Sequence, residues 1–139
     1  MTTIPVEHVL TLTARTEPAI LVPGGPQGTR GYVQVTGGTF EGGKLTGTVA
    51  AGGADWFTVR PDGSLRVDVR LLLTCADDAR ILLAYQGLAV RCADGRLEIR
   101  VGAQFEAPAG PHEWLNSVQG VGHGRLVDGG VRYEMYALR

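Results

Sequence analysis

The chain has 139 residues, which predicts one domain spanning residues 1–139 with a core of its own. Hydrophobic residues make up 44%, charged residues 19%, and the formal net charge is −1, a balance that excludes a disordered chain, a basic nucleic-acid binder and an acidic tail protein. Glycine stands out at 21 residues, about twice the usual share and without a three-residue period, which predicts many turns between short strands.

Met1 to His8 has neither a basic stretch nor a long apolar run, so it does not read as a signal peptide. From there on, strand-like alternation recurs and no long helical stripe appears. Val6, His8, Leu10 and Leu12 fall on one face of a first strand. Pro18 to Gly31 holds three prolines and four glycines and reads as a loop. Tyr32–Thr36 is a short strand ended or bulged by Gly37-Gly38, and Leu45–Ala50 is another. Ala54–Arg60 follows, closed by the turn Pro61-Asp62-Gly63. Leu65, Val67, Val69, Leu71 and Leu73 then share a face, and Asp77-Asp78 turns the chain into Ile81–Val90. In that hairpin Arg70 is expected close to Tyr85. After Asp94-Gly95, Leu97 to Phe105 alternate with Glu98, Arg100, Gln104 and Glu106. Pro108 to Pro111 break the pattern, residues 112–117 suit one helical turn, and Val118–Val127 with Val131–Leu138 make a last hairpin.

About eight or nine strands with short connections suit an antiparallel sandwich or a closed or nearly closed antiparallel up-and-down β-barrel, and connections too short for Greek-key crossovers favour the barrel. Closure removes exposed edges and leaves room for side chains or one small ligand. Cys75 and Cys92 fit no zinc spacing and have no histidine near them in sequence, so two reduced thiols in a cytoplasmic protein are the expectation.

Thr36-Gly37-Gly38-Thr39-Phe40-Glu41-Gly42 and Gly52-Gly53-Ala54-Asp55-Trp56, continued by Arg60-Pro61-Asp62-Gly63, Asp68-Val69-Arg70 and Trp114-Leu115-Asn116, resemble a domain-of-unknown-function family of small bacterial proteins. The resemblance runs from Leu10 to Tyr136 and implies a lipocalin-like, calycin-type barrel, but little about chemistry. Two departures stand out. Ala76-Asp77-Asp78-Ala79 lacks the usual Asp-Gly turn, and the stretch between Val90 and Phe105 is short.

Asp55 and Trp56 point to opposite faces of a strand, so one of them faces the interior. An inward Asp55 beside an apolar wall suits acid–base work; the plainer reading is a carboxylate serving turn amides. Asp68 and Arg70 share a face and can pair, with Tyr85 joining them. They either bind an oxyanion or form an exposed ion pair. Trp114 and Asn116 read as a stacking lid and a carbonyl-orienting amide, or as a plug closing one barrel end. Trp56, Glu106 and His123 complete the candidate ligand contacts. His8, His112 and His123 have no metal spacing, so no metal and no cofactor are expected.

The expected function is a small-molecule-binding barrel doing cofactor-independent acid–base or conformer-templating chemistry. Isomerisation, dehydration or cyclisation of a compact aromatic or polyketide-like ligand would use Asp55, Arg70 and Tyr85. The alternatives are a carrier or sensor of the same ligand, and a structural subunit with a filled barrel. A small organic ligand and a second copy of the chain are the expected partners, with neither nucleic acid nor membrane. Both faces of Leu71–Leu73 are apolar, and an outer apolar strip would need a partner, which is the ground for expecting a homodimer.

Overall fold

Alternating side chains become a curved wall once every second residue turns inward. A computed structural model describes residues 1–139. The strands are β1 (Val6–Thr16), β2 (Ile20–Gly25), β3 (Gly28–Glu41), β4 (Thr46–Val49), β5 (Ala54–Asp55), β6 (Thr58–Val59), β7 (Leu65–Cys75), β8 (Arg80–Arg91), β9 (Leu97–Glu106), β10 (Gln119–Val127) and β11 (Gly130–Leu138). All pairings are antiparallel, and neighbours follow chain order from β7 through β11 to β1. The short β4, β5 and β6 lie in succession between β3 and β7 as one interrupted stave. β3 pairs back onto β1 and closes an eight-stranded barrel. No helix is long and apolar enough to cross a membrane.

Three local expectations change. The segment read as a loop from Pro18 holds β2 and its turn into β3, with Gly24 at φ +66° and Gly28 at φ +85°. β2 carries on the line of β1 along β3 after a gap at Glu17–Ala19. Pro23 sits where the register slips between Val22 and Gly25, a place that asks no N–H of it. Of the two expectations at Gly37-Gly38, the pair does not end the strand but does mark a bulge, where the register slips from Arg15–Gly37 to Thr16–Val35. β3 runs through both at φ +154° and +151°, and a Cβ on Gly38 would stand 2.2 Å from the Thr13 carbonyl oxygen. Glycine there lets β1 approach. Third, β1 slips register between His8 and Leu10, so His8 leaves the apolar face. It sits exposed outside, with Nε2 3.1 Å from Glu134.

The inner faces join into one core of 25 buried residues. That core is graded along the barrel. Along β8 the inward residues are Ile81 and Leu83 at one end, then Tyr85, Gly87 and Ala89 towards the other. β1 changes likewise from Leu10 and Leu12 to Ala14. The large-residue end is sealed by a 3-10 turn, Glu113–Ser117. Its Leu115 is fully buried, worth about 2 kcal/mol of apolar transfer. Asn116 clips the turn to the end of β9, accepting from Ala107 N–H at 2.7 Å and donating to Ala107 O at 3.0 Å. Lys44 lies 4.8 Å above the Trp114 ring centre. At the opposite end the rim is made by half-buried Leu65, Leu97 and Val131.

The first and last strands form the closing seam, from Val6 opposite Leu138 to Arg15 opposite Gly130. Beyond it, Arg139 N–H donates to Pro5 O at 3.0 Å and the Arg139 side chain donates to Glu7 at 2.9 Å.

Candidate functional site

The register fixes which side chains meet. Asp55 lies opposite Val69, Val69 opposite Tyr85, and Tyr85 opposite Ala103. Directly opposed residues share a face, and Val69, Tyr85 and Ala103 are all core residues, so Asp55 points inward. Trp56 therefore points outward. It is 58% exposed and meets Tyr32 edge-to-face with ring centres 4.4 Å apart.

Asp55 is half-buried, and its Oδ1 accepts the Asp68 backbone N–H at 2.9 Å. Burial pushes its carboxyl above the usual value. The Asp68 hydrogen bond works against that shift, and the Asp68 charge adds to it. Tyr85 and Tyr133 are buried beside it, with ring centres 4.7 Å apart. Burial drives the Tyr85 phenol well up, reinforced by Tyr133 and by the Asp55 charge. Burial raises Tyr133 too, followed by the Asp55 charge. Both phenols stay protonated and remain hydrogen-bond donors at any ordinary pH.

Tyr133 is not among the predicted site residues. Its alternation with Val131, Met135 and Ala137 places it on the inner face, but only the barrel's closure brings it to Tyr85. Its position depends on β10, where Gly120, Gly122 and Gly124 point inward. A Cβ on Gly124 would stand 2.5 Å from Tyr133 Cε1, so the ring lies over a bare stretch of backbone. Phe57 covers Gly31 in the same way towards the end opposite the plug.

The other predicted residues fall elsewhere. Arg70 lies opposite Ala84, not Tyr85, and is exposed on the outer wall, because one step along a strand reverses the face. Asp68 is also on the outer face, where it accepts from Gln86 at 3.3 Å and makes no ion pair with Arg70. Glu106 lies opposite Leu82 and is exposed. Arg70, Glu106 and Asn116 instead line an outer groove of about 560 Å³ with Leu82 and Gln104. Asn116 and Trp114 belong to the plug. His123 is exposed on the outer face of β10 and stacks on Tyr136 at 6.3 Å.

His123 lines a groove of about 960 Å³ along the outside of β9 and β10. Arg96 and Arg100 on its rim are engaged by Asp94 and Glu98 at 2.7 Å. Volume alone does not make a reaction site. The interior has what that groove lacks, a carboxyl raised by burial beside two donor phenols.

Fold and site together define a closed antiparallel barrel with an ionisable group in its apolar interior. The chain belongs to the family described as protein of unknown function (DUF3237), which matches residues 4–138. Among solved structures, a β-barrel-like protein from Acinetobacter baumannii is 27% identical with a TM-score of 0.91, covering 100% of this chain and 98% of that one. A protein of unknown function from Rhodopseudomonas palustris is 19% identical, with a TM-score of 0.92 and full coverage of both chains (100%). An enzyme from Penicillium herquei is 23% identical, with a TM-score of 0.82, covering 100% of this chain and 97% of that one. Comparison with curated proteins finds no match to this chain.

Proposed function

We propose that the protein binds a compact aromatic or polyketide-like molecule at the open end of the barrel and performs cofactor-independent proton-transfer chemistry on it. The observation that carries this reading is the inward Asp55 carboxyl beside Tyr85 and Tyr133. In the ionised form Asp55 takes a proton from an acidic carbon of the ligand. The phenols donate hydrogen bonds to the oxygen on which negative charge grows. Returning the proton elsewhere on the skeleton gives isomerisation; expelling a hydroxyl as water gives dehydration. Holding a reactive conformer serves cyclisation with little acid–base help. The Penicillium herquei neighbour, an enzyme on the same fold, supports a catalytic barrel. Tyr133 takes the donor role expected of Arg70.

The core of 25 residues favours a second reading, a barrel filled by its own side chains and acting as a structural subunit. A thermal-shift panel of aromatic and polyketide-like compounds separates the two. Saturable stabilisation is expected for at least one, with deuterium from D2O entering that compound only when enzyme is present. Asp55→Asn should stop the exchange and keep the thermal shift. Saturable binding without exchange leaves a carrier, and no shift from any compound leaves the filled barrel. We further infer a cytoplasmic setting, supported by two unbridged thiols, and a homodimer, supported by the outward pair Leu72–Leu82.

A further inference from the structure

At the sealed end the fold gathers three metal-ligating side chains from two distant parts of the chain. Cys75 ends β7, Asp77 lies in the turn to β8, and His112 precedes the plug. The Cys75 sulfur, an Asp77 carboxylate oxygen and a His112 ring nitrogen all lie within 4.8 Å of one another. Cys75 and His112 are buried, while Asp77 reaches solvent.

The hydrogen bonding of His112 is half complete. Its Nε2 lies 2.8 Å from Asp77 Oδ2, while Asp77 Oδ1 accepts from Ala79 N–H at 3.1 Å. The carboxylate can only accept, so Nε2 carries a hydrogen, and in the neutral ring Nδ1 then carries the lone pair. Nδ1 is buried without a partner, and it is the only buried side-chain nitrogen or oxygen atom in that condition. Native interiors seldom leave such an atom unpaired. A carboxylate holding one imidazole nitrogen while the other stays open is the arrangement that orients metal-binding histidines. The Cys75 thiol lies within 4.8 Å of a nitrogen of this ring.

We propose that Cys75 and His112 ligate a thiophilic divalent cation of the zinc type, with Asp77 as the carboxylate that orients the ring. Sulfur with imidazole is a donor set that favours zinc over magnesium or calcium. In a tetrahedral zinc site, ligand atoms are roughly 3.3–3.8 Å apart, and a sulfur and a ring nitrogen already within 4.8 Å need only a small movement to reach that spacing. The turn is exposed on its Asp77 side, which gives the cation a way in and leaves positions for water. A cation there fastens the β7–β8 turn to the start of the plug.

Co2+ titration of the purified, reduced protein tests this. One equivalent should give a thiolate-to-cobalt charge-transfer band in the near ultraviolet, bleached by Zn2+, and Zn2+ should raise the Tm. Cys75→Ala and His112→Gln should lose both responses, while Cys92→Ser keeps them. Asp77→Ala should weaken binding about 10–100-fold. No band in the wild-type protein overturns the site outright, whether or not any variant folds. A band that survives Cys75→Ala and disappears in Cys92→Ser overturns it equally.

Discussion

Asp55 is held by two opposing effects, burial that favours its neutral form and one backbone N–H that favours its charge, and burial prevails. Its folded pKa is therefore above the unfolded one. The stability this group contributes is fully present below the unfolded value of about 3.8 and is lost as pH rises through the folded value. Asn at this position keeps an oxygen for the Asp68 N–H and carries no charge. The Tm difference between Asp55→Asn and wild type should be near zero at acid pH and turn positive towards neutral pH. A variant that melts well below wild type at neutral pH would make Asp55 a turn-holding residue and remove the catalytic reading. Glu134 has the opposite sign. Burial would raise it, but hydrogen bonds from Thr11 and His8 outweigh burial and hold it low. Gly124→Ala should drive a methyl into the Tyr133 ring and destabilise the protein by about 1–3 kcal/mol, read by denaturant unfolding. Asp55 is half legible: alternation says that either it or Trp56 faces inward, and only the register with Val69 decides which. Tyr133 is not legible, because nothing local distinguishes it from any other inward aromatic.

Among the elements, the 3-10 plug makes the sharpest prediction. Leu115 is its one fully buried residue, so Leu115→Ala should cost about 2–5 kcal/mol, measured by chemical denaturation. The same substitution should leave ligand responses at the far end of the barrel intact if the two ends act separately. The long strands β7 and β9 are readable because their apolar residues alternate along most of their length, and β8 because an apolar run follows a turn. β10 was harder. Glycine carries no hydropathy signal, so the inward face of Gly120, Gly122 and Gly124 looks blank, and His123 gives no sign of its side. The β2–β3 hairpin was hidden by the very residues that build its turn and edge. Nothing in sequence links Cys75 to His112, because only the segment after β9 folding over the β7–β8 turn makes them neighbours.

On the scale of the whole molecule, the proposed homodimer rests on Leu72 and on Leu82, which is 51% exposed on the outer wall. Light scattering should give twice the chain mass, falling to one chain mass in Leu82→Glu; a wild-type monomer at high concentration would count against it. The barrel's wall is otherwise continuous, because β1 is bonded on one side to β3 and on the other to β11. This arrangement has a bearing on how the protein is made. β1 leaves the ribosome well before β11 and then waits, one flank bare, until roughly 120 residues have followed it. Final locking is a late, long-range event, which predicts slow refolding for a chain of this size. It also makes the numbering of the strands dispensable. Since Pro5 and Arg139 already touch, a short tether between them with a new opening cut at Asp94-Gly95 should yield a permuted protein of the same shape, in which a different pair of strands is the last to meet.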